Sequence, residues 1–139
     1  MEDESLSELF WGVARRLRHQ SHESLQPLGI TPGQARALSV LARHGTMRPG
    51  ELSEHLKIAP RSTTEVVDGL EERGLAERLP DPADRRATLV ELTGTGRTVA
   101  EKIRAERGAQ GERFFAGLSD RDREELARIL VALRVSEPP

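Results

Sequence analysis

Residues 45–97, GTMRPGELSEHLKIAPRSTTEVVDGLEERGLAERLPDPADRRATLVELTGTGR, decide the fold. Leu52, Leu56 and Ile58 give apolar anchors to a short helix that starts around Arg48–Pro49 and runs to about Lys57. A break follows at Lys57–Ala59. Pro60 suits the first turn of the next helix, residues 60–73, because its ring presets φ and that turn has no use for the missing N–H. Val66, Val67 and Leu70 recur at helical spacing, with Arg61, Thr64, Glu65 and Asp68 on the opposite face. Gly74 falls just past the last turn, where a positive φ is wanted. Leu75–Leu79 and Thr88–Leu92 read as two short strands, the second alternating Val90 and Leu92 with polar neighbours. Between them DPADRR, residues 81–86, makes a turn from proline and aspartates and ends on two adjacent arginines. Helix, turn, helix and charged hairpin, in that order, make a winged helix-turn-helix.

The same residues carry a family resemblance. The run ERGLAERLPDPADRRATLVELTGTGR closely resembles the core of the MarR family of bacterial transcriptional regulators. In that family the wing reads roughly D-x-x-D-x-R and is followed by a strand ending in L-T-x-x-G. Here those positions are Asp81, Asp84, Arg86, Leu92, Thr93 and Gly96. The resemblance covers nearly the whole chain and is far more specific than a lone helix-turn-helix. It implies a mostly α fold with a small β-hairpin wing, built as a single domain over residues 1–139. Residues 31–97 would form the winged helix-turn-helix lobe, and residues 1–28 and 98–136 the dimerisation helices. It also implies a homodimeric repressor of a pseudo-palindromic operator, modulated by a small-molecule effector.

Outward from the lobe, the pattern stays helical. Residues 3–28 form a long amphipathic helix with Leu6, Leu9, Phe10, Val13, Ala14 and Leu17 in phase, ended by Pro27 and Gly29. Its apolar side needs a partner, which is either the subunit's own core or, as the resemblance implies, a second subunit. Thr31-Pro32-Gly33-Gln34 is a helix start with a capping-box partner at Gln34; the helix runs to about Arg43, and Gly45 ends it. A long helix begins at Thr93 or Thr95 and reaches about Gly117, with Val99, Ile103, Phe114 and Phe115 as its apolar positions. Gly108 and Gly111 interrupt it and permit a close helix crossing or a bend. Ser119 caps a last helix with the stripe Leu126, Ile129, Leu130 and Leu133, and Glu137–Pro139 reads as a frayed tail.

Composition narrows the function. A 139-residue chain with 36% hydrophobic and only 3% aromatic residues builds its core from Leu, Val, Ile and Ala. No run is long enough to span a membrane and no secretory signal pattern is present, so the expected location is the cytoplasm. With no cysteine, disulfides, thiolate metal sites and thiol redox switches are excluded. Lys plus Arg number 21 against 23 acids, a net charge of −2, so any nucleic-acid surface must come from basic groups gathered on one face. The preference for arginine over lysine suits bidentate phosphate contacts and narrow-groove insertion, and equally follows from genomic base composition.

The candidate DNA-binding residues are Arg48, Pro60, Arg61, Ser62, Thr64, Glu65, Asp84, Arg85 and Arg86. The helix at 60–73 would enter the major groove and present its early residues to base edges. Arg61 can pair with guanine or phosphate, and Ser62 and Thr64 with phosphates or bases. Glu65 stands where many relatives are basic; it can accept from cytosine N4 or pair with Arg61 four residues away. At the wing, one of Arg85 and Arg86 is expected in the minor groove and its neighbour paired with Asp84 or Asp81.

Trp11 and Arg15, four apart on the first helix, could stack on and neutralise a small aromatic or anionic effector, although interface packing alone also explains Trp11. No cofactor or metal site is expected. His19 and His22 are spaced as a possible zinc pair, but solvated surface histidines are the simpler reading. No catalytic triad, phosphate-cradling glycine loop or H-E-x-x-H motif is present, so the chain is not expected to be an enzyme. Two alternatives stay open: a metal-responsive regulator, and a winged-helix protein-interaction module without DNA binding.

Overall fold

Prolines and caps set the helix starts. In the computed structural model, which describes residues 3–135, the elements are α1 (Leu6–Leu25), a 3-10 turn (Gln26–Leu28), α2 (Pro32–His44), α3 (Pro49–Leu56), α4 (Pro60–Glu72), β1 (Ala76–Asp81), β2 (Asp84–Leu92), α5 (Gly94–Phe115) and α6 (Asp120–Val135). α2, α3 and α4 each begin on a proline. Thr31 and Gln34 close the expected capping box at α2. The first helix starts at Leu6 rather than at residue 3, because Ser5 and Glu8 form a reciprocal cap there. It stops at Leu25, and Pro27 and Gly29 shape the turn beyond it, with Gly29 at φ 65°. Ser119 receives the Asp122 N–H at the start of α6, as expected. The Glu137–Pro139 tail, and residue 136 of the expected C-terminal arm, lie outside the described residues.

The core sits inside the lobe. Leu38, Leu52, Val67, Leu70, Val90 and Ile103 are fully buried, so α2, α3, α4, the hairpin and the first half of α5 share one apolar centre. Each such side chain contributes roughly 1.5–3 kcal/mol relative to exposure. β1 and β2 pair antiparallel from Ala76–Leu92 to Pro80–Thr88. Met47 adds a bridge to Val90, its N–H donating at 3.2 Å and its carbonyl accepting at 2.7 Å, which ties the hairpin to the α2–α3 connection. The first strand begins at Ala76 rather than Leu75, because the Leu75 carbonyl instead accepts from Thr93 N–H at 3.1 Å.

That contact explains the L-T-x-x-G signature. Thr93 caps α5 through the Gly96 N–H and donates its own hydroxyl to the Gly74 carbonyl at 2.6 Å. Gly96 lies flat against Leu75: a Cβ there would come within 1.8 Å of the Leu75 carbonyl oxygen. The hairpin therefore leads straight into the long helix.

Outside the lobe the apolar faces are bare. Leu6, Leu9, Phe10, Trp11 and Val13 of α1, and Ile129, Leu130, Val131, Leu133 and Val135 of α6, are exposed. The second half of α1 packs on α5, where Ser21 donates to the buried Gln110 at 2.8 Å. α5 runs unbroken through Gly108 and Gly111, and among the described residues nothing beyond the helix's own adjoining backbone lies within 4 Å of where a Cβ would stand at either. Among the described residues no helix is long and apolar enough to cross a membrane.

Candidate nucleic-acid interface

α4 is held by one face and bare on the other. Val67 and Leu70 are buried, and Val66 packs partly against the core. One polar residue joins them inside: Thr63, 1% exposed, takes a hydrogen bond from the Ser53 hydroxyl of α3 at 2.8 Å. Thr63 is in phase with Val67 and Leu70, four and seven residues on, which is the signal in the sequence that places it inward. On the outer face Pro60, Arg61, Ser62, Thr64 and Glu65 are all exposed. Thr64 donates to the Pro60 carbonyl at 3.1 Å and keeps its oxygen lone pairs free. Ala59 precedes the helix without a side-chain cap, so the first-turn N–H groups stay open to an anion such as a phosphate. Among the described residues Arg61 and Glu65 do not pair, so Arg61 is open to a base or a phosphate, while Glu65, which repels phosphate, is open only to a donor on a base edge. Asp68 is not free: Arg78 of β1 reaches it at 2.8 Å and also bonds Glu71, bracing the hairpin base against α4.

The wing tip is fixed by acids that bind backbone. Asp81 accepts the Ala83 N–H at 2.9 Å, and Asp84 accepts the Arg86 N–H at 3.0 Å. The register then jumps from Pro80–Thr88 to Asp81–Asp84, which leaves Arg85, Arg86 and Ala87 outside the ladder. Bulges of this kind re-aim side chains. The expected pairing of one wing arginine with Asp81 or Asp84 does not occur. Arg48, at the start of α3, takes that place: its Nε and Nη2 lie 2.9 and 2.8 Å from the same Asp81 oxygen. The Ala83 N–H and the Arg48 guanidinium hold the Asp81 carboxyl below its usual range, and Asp81 in turn raises Arg48. Since Arg48 already satisfies the near-buried carboxylate, Arg85 and Arg86 stay exposed with no acidic partner among the described residues.

A helix with a bare polar edge and a hairpin ending in two unpaired guanidiniums is the geometry against which relatives can be compared. The model of the MarR family matches residues 28–87. The transcriptional repressor MdtR of Bacillus subtilis is 30% identical over 129 residues, covering 93% of this chain and 81% of its own. This chain belongs to the MarR family. The fold agrees: the reduced form of MarR from E. coli superposes with a TM-score of 0.86 at 28% identity, covering 96% of this chain and 98% of that one. A mutant of E. coli MarR complexed with operator DNA superposes at 0.76 and 28% identity, covering 92% of each chain.

A cleft of about 610 Å³ lies where α1 approaches α2 and α5. Arg15 lines it together with Arg18, His22, Arg36 and Arg107. Trp11 does not: it is exposed, and its ring meets Phe10 edge-on at 6.0 Å. The cation over an aromatic ring is instead Arg16, 5.3 Å from the centre of Phe114. His19 pairs with Glu23 at 3.2 Å, and His44 stacks on His55 at 4.3 Å. Among the described residues no three His, Cys, Asp or Glu side chains are grouped to hold a metal. Sequence reasoning missed Arg36 and Arg78, whose partners lie 20 residues away in one case and on a neighbouring element in the other.

Proposed function

We propose that this chain is a cytoplasmic, homodimeric transcriptional repressor that binds a pseudo-palindromic duplex and is modulated by a small anionic effector. The observation that carries it is the exposed polar face of α4, with Arg61, Ser62, Thr64 and Glu65, together with a wing whose Arg85 and Arg86 are exposed and have no acidic partner among the described residues. α4 would lie in the major groove and the wing in the flanking minor groove. The likeness to a MarR protein solved with operator DNA supports this placement. Two copies would join through the bare apolar faces of α1 and α6, which are too large to remain in water. Half-site centres would then lie roughly 10 base pairs apart. An effector in the α1–α2–α5 cleft would act by favouring a lobe spacing that does not fit both half-sites.

The test is selection of bound fragments from random duplex DNA, followed by binding titrations over salt. A palindromic consensus, and affinity falling steeply with salt, are expected. Arg61→Ala should then cost roughly 1–3 kcal/mol at the selected site if Arg61 contacts a base, and weaken all sequences alike if it contacts phosphate only. Recovery of no consensus, with binding indifferent to salt, would sink the reading.

A further inference from the structure

One side chain belongs both to the cleft and to the turn of the helix-turn-helix. Arg36 of α2 lines the cleft, and its Nη2 donates to the carbonyl of Leu56 at 2.5 Å. Leu56 is the last residue of α3. Lys57 follows in the left-handed region at φ 56°, and Pro60 opens the recognition helix α4 only three residues later. The final carbonyls of a helix have no partner within it, and a cation there also suits the negative end of the helix dipole. Within the turn, the Lys57 and Ile58 N–H groups both go to Ser53. The Leu56 carbonyl is therefore held from outside, by α2.

The lining of the cleft says what would compete for that guanidinium. Arg15, Arg18, Arg36 and Arg107 contribute four of them, and none of the lining residues is acidic. The wall they present is mostly carbon, so the cleft suits an anion with an apolar body whose carboxylate or phosphate a guanidinium can take. The guanidinium already makes a charge-assisted bond to the neutral Leu56 carbonyl; a carboxylate or phosphate adds a full negative charge and offers two acceptor oxygens where the carbonyl offers one.

We propose that Arg36 is the positioning residue through which an anion in the cleft is felt at the recognition helix. The anion recruits the guanidinium, the Leu56 carbonyl loses its donor, and the turn at 57–59 no longer holds α4 at the angle that DNA requires. This rests on the effector reading above and adds a route to it. By linkage, operator binding must weaken the anion by the same factor.

The test uses the full chain and a selected operator, with benzoate and inorganic phosphate as probes at constant ionic strength. Calorimetry measures binding of each probe, with and without operator. Hydrogen exchange reports the amides of residues 57–59, and anisotropy reports operator affinity. In the parent, a bound probe should speed exchange at 57–59 and lower operator affinity by roughly 5–150-fold, the usual range of such coupling. Arg36→Ala should still bind the probe through the remaining arginines, yet start with weaker operator binding and fast exchange at 57–59, and respond to neither probe. A probe that binds the parent without changing exchange at 57–59 overturns the proposal, and this arm needs no variant to fold. So does an Arg36→Ala protein that responds as fully as the parent. If neither probe binds at all, the cleft is no anion site and the effector reading falls with it. Benzoate alone binding would point to an aromatic carboxylate, and both binding to recognition of the bare anion.

Discussion

Asp81 serves two elements with one carboxylate, closing the hairpin turn through Ala83 and receiving Arg48 from α3. Its folded-state pKa lies below the ordinary value of 3.8, so its contribution is complete above that value and is lost as pH falls through the lower folded one. Arg48 is raised from an already high value and stays charged throughout. Acid should therefore loosen the wing tip before the core. NMR of the Ala83 amide should titrate with an acid-range midpoint, and Asp81→Asn should abolish that step; an Ala83 amide that moves only with global unfolding would contradict it. Gly96 makes a second sharp case. Gly96→Ala drives a Cβ into the Leu75 carbonyl, a backbone atom that cannot swing away. Thermal unfolding should fall by several degrees or the chain should not fold, whereas Gly108→Ala, in open space within the helix, should be neutral to stabilising by up to about 1 kcal/mol. Equal melting of the two variants would refute the close approach. The sequence marked Gly96 as part of a pattern but not as a contact, because its neighbour is a carbonyl 21 positions earlier in the chain.

At the scale of elements, helix starts were readable and hairpin detail was not. Thr31, Pro32, Pro49, Pro60 and Ser119 act locally, so their neighbours in sequence are their partners in space. The bracing of the wing is nonlocal: Arg48 reaches it from the start of α3, Arg78 of β1 ties the hairpin base to Asp68 and Glu71 of α4, and nothing in DPADRR itself announces them. With bracing done elsewhere, Arg85 and Arg86 should behave alike in the fold and differ only on DNA. Each single alanine variant should melt within about 0.5 kcal/mol of the parent, as surface changes do. Each should also reduce the slope of log affinity against log salt by about one if its charge is buried on a phosphate. Parallel salt titrations on operators with A/T-rich and G/C-rich flanks would tell which arginine reads the minor groove. A slope unchanged in both variants would make the hairpin a connector only.

For the whole molecule, the balance of charge and the bare faces carry the argument. A chain with 23 acids to 21 basic side chains relies on placement rather than on total charge to meet DNA. The stripes of α1 and α6 were legible as periodic apolar positions; a second subunit as their cover is what the resemblance implies, since periodicity names a face but not its partner. Leu130→Asp should give monomers or aggregates by sedimentation, and an unaltered chain that stays a well-folded monomer at micromolar concentration would contradict the dimer. The register jump in the hairpin has a consequence for how such a molecule can change. Pro80–Thr88 and Asp81–Asp84 are adjacent rungs once Arg85, Arg86 and Ala87 are taken out, so these residues form a detachable insert in an otherwise regular ribbon. Excising them should leave an intact lobe that has lost its grip on flanking DNA. Grip and fold would then be separable, and a lineage could retune which flanks it prefers by editing one tripeptide without first acquiring spare stability.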